Sequence, residues 1–568
     1  MISYDFFDGE RMNKMRITFA VIFAVFGTAV LAQTNVSGQA TLGGGLGTAT
    51  PWDADVRLEV SNNKVNFRPY VGIKGITKDS SEEEETLDYS YRSGADFSSW
   101  SDIKSEGYTL NYGATLINCP NLVDQLTLTV DAKHRNMESS GESIEGFLGN
   151  AVSSASSFMD HSSLSMPVRD QNDVKADATW LHKTQRPQET LTLRYGFERQ
   201  ALDNEFHQHV TNGTMPKLDN SVYGYASTQT HSVSFEWQRP ILSGMPLTLG
   251  ARYEDKCIKS HDRQDWNGEM VANEHFHHTT RTSGVYANYI LPLGPVMANV
   301  RMEYYYTDMW NKTLHDFIPQ ARLQWTINNS NSLTAMYVRR IVRPYLEVLN
   351  PAKISGPYTL DYGNPDLEGT HINIMSLIYQ HKAERVAFTT TAQHIRVEDG
   401  FNAIWMLSDH EVNIIPKRVS TWGNQGVRRA WSIAPEVTWT PAVGTKINAK
   451  ATLLWDKRIA YAINMAKEHW GITTNLRLDQ QLPAGIQMAL LADYSEGNTI
   501  DLYSHASRSM DFGAELRRSF CHEQFTATLA YTYRKYARTI LTQGAYTGVM
   551  FRHPDDRSAA SISLSYKL

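Results

Sequence analysis

The chain has very little cysteine: Cys119, Cys257 and Cys521 are the only three in 568 residues. Three thiols cannot build a disulfide framework. Cys119 and Cys521 both fall near expected short turns but far apart around the sheet, so no bridge between them is expected. Long apolar runs are also missing. Beyond Ile17–Val30 no stretch approaches the roughly 20 apolar residues a spanning helix needs, which excludes a helical membrane protein. There is no excess of positive charge, the formal net charge being −6, and hence no sign of a nucleic-acid partner. No nucleophile–base pair, zinc-hydrolase spacing or phosphate loop is present. Neither an enzyme nor a bound cofactor is expected.

What is present points elsewhere. Met12-Asn13-Lys14-Met15-Arg16 is basic, Ile17–Val30 is apolar, and Val30-Leu31-Ala32 suits cleavage before Gln33. Residues 1–32 therefore read as a secretory signal. Asp5, Asp8 and Glu10 have the wrong charge for its start, so Met12 is the expected initiator and 1–11 a misassigned start. No cysteine follows the cleavage point, so a lipoprotein is not expected. Length alone would suggest two to four soluble domains. A mean hydropathy of −0.40 is nevertheless compatible with a membrane protein, because a barrel strand shows only alternate side chains to lipid.

That alternation runs through the chain. Leu126, Leu128, Val130 and Ala132 alternate with Thr127, Thr129, Asp131 and Lys133. Leu191, Leu193, Tyr195 and Phe197 alternate with Thr190, Thr192, Arg194 and Gly196. The same parity governs Val233–Trp237, Leu247–Tyr253, Val300–Tyr306, Ile447–Trp455 and Phe525–Tyr533, where a helix would repeat at three and four. Short turns are expected at Asn62-Asn63, Pro120, Arg186-Pro187, Ser243-Gly244, Leu293-Gly294, Asn329, Ala383-Glu384, Ala442–Gly444, Ala484-Gly485 and Cys521. Between them lie longer polar connections: Thr77–Lys104, Arg135–Asn172, Gln200–Ser227, Lys256–Thr279, Arg340–Gly369, Arg396–Gln425 and Lys535–Asp556. Short turns on one side and long loops on the other are the pattern of an outer-membrane barrel, the turns facing the periplasm. With a first strand at Val36–Gly45 and a last at Ser558–Leu568, the expectation is an all-β transmembrane antiparallel barrel of about 22 strands, spanning residues 33–568.

Aromatics make up 11% of the chain. Tyr304, Tyr306, Trp325, Trp439, Trp455, Trp470, Tyr531 and others sit near strand ends, where barrels carry interfacial girdles. The last segment alternates through Ala560, Ile562, Leu564, Tyr566 and Leu568. A strand ending the chain in this way is what barrel assembly machinery reads, although Leu568 replaces the usual terminal aromatic.

One composite motif carries a family resemblance. Arg339-Arg340-Ile341-Val342-Arg343-Pro344, then Leu349-Asn350-Pro351, then Gly363-Asn364-Pro365-Asp366-Leu367 resembles the signature of TonB-dependent receptor barrels. More narrowly, it resembles the outer-membrane β-barrel family common in Bacteroidetes. Ser283–Tyr289 with Asn299–Tyr304, and Asp316-Phe317-Ile318-Pro319, agree with the same pattern. The resemblance covers roughly Gly38 to the end and implies an outer-membrane location and a transport ancestry. Family members usually carry a plug of about 130 residues before the barrel. Here strands are expected from about Val36, with no TonB box or plug-like segment. The resemblance therefore implies uptake or binding of a nutrient with a separate plug-bearing chain or surface lipoprotein as partner. The alternative is a non-transporting structural or interaction barrel whose external loops bind a surface protein, glycan or lipid.

Candidate sites follow from parity. Lys133, Arg194, Arg252, Glu254, Arg301, Glu303 and Arg322 should line the lumen, either guiding a polar solute or forming the polar wall any water-filled barrel requires. Arg339, Arg340 and Arg343 sit where a strand leaves the membrane. They either contact phosphates of outer-membrane lipid, as guanidinium groups can, or brace the loop against lumenal carboxylates, the reading preferred. His261, His275, His277 and His278 share one expected loop and are weak metal-ligand candidates. Glu82–Glu85 reads as a solvated charge run. Loops Arg135–Asn172 and Arg340–Gly369 are long enough to fold into the lumen.

Overall fold

The computed structural model describes residues 35–567 except 48–49, 89–94, 150–157, 213–216, 242–243, 310–311, 356–358, 408–417, 425, 461–464, 499–503, 536–538, 544–545 and 554–556. The expected signal segment lies outside these residues.

Backbone groups in lipid have no water to bond, so each spanning strand must be paired on both sides. The chain meets that requirement with 22 consecutively paired antiparallel strands. The first, Asn35–Gly47, pairs both with Thr50–Ser61 and with the last, Arg557–Lys567, which closes the cylinder. Among the described residues this cylinder has no open edge to recruit another strand. The described turns fall where the sequence places them. At one, Asn62 accepts from the backbone N–H groups of Lys64 and Val65 at 2.9 and 2.8 Å.

Parity sorts the wall as expected. Leu193, Phe235 and Val285 are 45%, 45% and 58% exposed, on the face a bilayer covers, while Thr192, Glu303 and Thr334 of the opposite parity are buried on the lumenal side. At the outer margin, Trp431 lies directly across from Trp455, and Trp455 across from Trp470.

The structure corrects five of the expected loops. Thr77–Lys104, Arg135–Asn172, Gln200–Ser227 and Lys256–Thr279 are largely strand, and so are the described residues of Lys535–Asp556. Asp124–Gly149 and Phe158–Lys183 are 26 residues each, where about 9–11 span a membrane. Their ladder continues outward from Ser139↔Met166 to Phe147↔Phe158. Above the bilayer both faces meet water, so alternation disappears from the sequence while the backbone pairing persists. Register shifts at Ile76/Asp79, Met137/Ser139 and Ser165/Val168 interrupt these hairpins, consistent with the twist a bulge adds. The described residues of Arg135–Asn172 thus extend the wall instead of folding inward.

Arg340–Gly369 does fold inward. It contains one helical turn, Leu346–Leu349, and the short strands Ile354–Ser355 and Thr359–Asp361. These join Arg418–Asn424 and Phe401–Leu407, from the next long loop, in a separate four-stranded sheet. Val348, Leu349 and Leu367 are at most 1% exposed and pack on Ile258 and Phe276, which have inward parity. Phe401 and Trp422 flank this cluster. A substantial apolar core therefore lies between the barrel wall and its inserted loop.

Candidate functional site

The signature residues hold the inserted loop. Arg343, just past the strand Asn331–Val342, donates to Asp316 and, at 3.1 Å, to Thr307 Oγ1. Asp316 is 5% exposed, and Nε2 of His371, on the returning strand, lies 3.4 Å from its Oδ1. One buried carboxylate thus meets both ends of the loop. Lys312 Nζ adds a bond to the Asp366 carbonyl at 2.9 Å.

Inside the loop, Asn350 Nδ2 donates to Asp262 Oδ2 on the inner wall at 2.8 Å. The N–H of Gly363 donates to the Asn350 carbonyl and that of Asn364 to the Val348 carbonyl, both at 2.7 Å. Asn364 Nδ2 reaches the Trp422 carbonyl at 3.0 Å, joining the two loops. Pro344 is buried, Pro351 exposed and Pro365 half-buried, and Leu367 fills the core. The three arginines divide. Arg343 braces the loop, Arg340 is exposed on the inward parity, and Arg339 has outward parity opposite Asn373.

Between this loop sheet and the wall is a cleft of about 500 Å³. Gln171, Gln200, Asn204 and Lys256 line its wall side, and Asn350, Tyr362 and Trp422 its loop side. Amides, one ammonium and aromatic faces can orient a polar solute of small-molecule size.

The lumenal candidates mostly neutralise one another. Arg252 pairs with Glu254 and Arg301 with Glu303, each at 2.5 Å, and Lys133 lies 4.0 Å from Asp173. Glu303 also accepts from Tyr305 at 2.5 Å and Gln320 at 3.3 Å. Arg301 lies 4.2 Å over the Tyr286 ring, and Arg322 donates to Gln324 at 3.1 Å. Arg194 shares their parity and is exposed. Residues two apart share a strand face, so Arg-x-Glu or Arg-x-Asp compensates itself within one strand. Arg477–Asp479 repeats the device in the lumen, and Arg263–Asp265 and Arg396–Glu398 repeat it on the outward face. This geometry suits a polar wall better than a charged guide.

The histidines are not in a loop. His261 and His275 are directly opposed on paired strands and stack at 4.1 Å, and His277 Nε2 lies 3.3 Å from Cys257 Sγ. His278, next in sequence, points to the other face and is 2% exposed. Adjacent strand residues cannot share a face, so the expected cluster divides. Among the described residues no three potential ligands converge.

One lumenal cluster was invisible in the sequence. Arg428, Arg458 and Lys467 are directly opposite across three strands. Asp456, fully buried one step below, meets Arg428 at 2.8 Å and Arg458 at 3.4 Å. His505, from a strand above the barrel, lies 4.1 Å from His469, ring to ring. Burial, with His469, Arg458 and Lys467 nearby, pushes its imidazole down to about 4. Only strand register, absent from sequence spacing, assembles this group.

Comparison with known proteins places this architecture. The ferric enterobactin receptor PfeA of Pseudomonas aeruginosa, as a mutant, superimposes with a TM-score of 0.61 at 10% identity, over 95% of this chain and 81% of the receptor. The ferripyoverdine receptor of the same organism gives 0.60 at 12% identity, over 94% and 72%. The siderophore receptor PirA of Acinetobacter baumannii gives 0.56 at 11%, over 95% and 81%. At such identities the likeness is one of fold. No curated protein sequence matches the chain. The sequence profile of the outer membrane protein beta-barrel family matches residues 182–566, more than half of the chain. This protein therefore belongs to the outer membrane protein beta-barrel family and resides in the outer membrane.

Proposed function

We propose that this barrel binds and admits a polar solute at its extracellular mouth, with a plug or coupling partner supplied by a separate chain. The observation that carries this reading is the inserted loop sheet, seated on the inner wall through Val348, Leu349 and Leu367, with the polar cleft behind it. The siderophore receptors that share the fold lend it a transport context. Its chemistry is binding and gating, with no catalytic step.

Planar-bilayer conductance of the purified protein tests it. The wild type should conduct weakly, and Val348→Asp, which places a charge in the apolar seat, should conduct several-fold more. Large, steady wild-type conductance would sink the loop-closed reading. Cross-linking in native outer membranes should recover a plug-bearing chain, and its absence would remove the split-receptor version.

A second reading, an interaction barrel, is favoured by the long hairpins. Strands of 24 to 26 residues raise a wall far above the bilayer, a surface suited to a protein or glycan partner.

A further inference from the structure

We propose that the outward face of the strands Val386–Glu398, Val427–Ala442 and Thr445–Ala460 is a binding strip for phosphorylated lipid headgroups of the outer leaflet. Two adjacent rows of side chains carry the inference. In the lower row His394 opposes Trp431, Trp431 opposes Trp455, and Trp455 opposes Trp470. Trp431 and Trp470 are 56% and 62% exposed and share the parity of the lipid-facing residues Ile433, Leu453 and Ile472. This is the aromatic margin of the bilayer.

One step outward on the same face, Arg396 opposes Arg429 and Arg429 opposes Lys457. Like charges directly across a sheet repel, and this row is only partly compensated. Arg396 is 2.5 Å from Glu398 and Lys457 is 2.8 Å from Glu468. Arg429, exposed between them, makes no ion pair with any described residue. Arg339 stands at the far end of the row, with Asn373 between it and Arg396. Measured along the strands from their periplasmic turns, Arg339 lies lowest and Arg429 and Lys457 highest.

A row of cations immediately above an aromatic margin sits at headgroup height. Neighbouring strands are about 4.8 Å apart, so adjacent guanidinium and ammonium groups can share one phosphate, and guanidinium binds phosphate bidentately. Acyl chains would lie along the apolar face below. The continuity of the apolar face with the cation row commits the occupant to a lipid; a free phosphate would use only the upper row.

The test uses the full chain purified in mild detergent. It is incubated with phosphate-free detergent micelles containing a bisphosphorylated lipid A or its dephosphorylated counterpart, and the retained glycolipid is measured by native mass spectrometry. The wild type should retain the phosphorylated form preferentially. Arg429→Gln should weaken retention about fivefold, and Arg396→Gln with Arg429→Gln about 25-fold, at roughly 1 kcal/mol per cation near a charged surface. Arg281→Gln, on the outward face of another strand, should leave retention unchanged. Heat-modifiable gel mobility verifies that each variant is folded. Equal retention of both lipids, or undiminished retention by the folded double variant, would overturn the proposal. Full displacement of the lipid by millimolar inorganic phosphate would also overturn it, by reducing the strip to a simple anion site.

Discussion

Gly363 is the residue on which the inserted loop turns. A Cβ there would meet the Asn350 carbonyl oxygen at 2.5 Å, the Asn350 nitrogen at 2.7 Å and the Val348 carbonyl oxygen at 2.8 Å. All three are backbone atoms and cannot rotate away. Gly363→Ala should therefore loosen the loop by about 2 kcal/mol, read as faster hydrogen exchange across residues 346–367 with heat-modifiable mobility of the barrel unchanged. Asp316 is the second such residue. Asp316→Ala removes the shared partner of Arg343 and His371 and should cost about 3 kcal/mol, the lower end for leaving a partly buried charge unpaired. Unchanged exchange in the loop would contradict the clip. Both residues stand in the signature visible in the sequence, or beside it, but their roles were only partly legible. Arg343 was expected to brace against a lumenal carboxylate; that Asp316 also meets His371 was not readable, because the loop's closure brings together residues far apart in the chain.

At the scale of elements, the segment Ser504–Ala506 should respond to pH. The His505 imidazole is pushed down to about 4 in the folded protein, below its ordinary 6.5, because burial and then His469, Arg458 and Lys467 disfavour its cation. A base with a lowered folded value takes up fewer protons when folded than when unfolded. Local stability is then full above pH 6.5, falls as the pH drops, and levels off below about 4. Once the intrinsic pH dependence of amide exchange is divided out, the opening of Ser504–Ala506 should increase between pH 7 and pH 5, and His505→Asn should flatten that dependence. The long hairpins form another element with a separable role. Replacing residues 139–166 by a short turn should leave the barrel folded and heat-modifiable, since the membrane-embedded ladder below Met137 is intact. Loss of the folded form would show that the extensions contribute to barrel stability. The sequence showed these segments as polar loops because period-2 alternation records a difference between lipid and lumen, and no such difference exists above the bilayer.

At the scale of the whole molecule, closure decides most properties. Pairing of Gln39 with Lys567, near the two ends of the described chain, joins the first strand to the last, so deleting the last strand, Arg557–Lys567, should prevent accumulation of heat-modifiable protein in the outer membrane. The sequence by itself determined the strand number, the short turns and the inward or outward sense of the side chains in the membrane-spanning segments. All of these follow from local rules: a side-chain period of two, one face in lipid, and turn residues where strands reverse. Only the tertiary structure decided which charges meet. Arg-x-Glu pairs were foreseeable within a strand. The rows Arg428–Arg458–Lys467 and Arg396–Arg429–Lys457 depend on the register between strands, which the sequence of any one strand does not contain. The inserted loop is the same case, because Leu349 and Leu367 find their apolar partners, Ile258 and Phe276, on the strands Pro246–Trp266 and Glu269–Leu293, far from them in the chain.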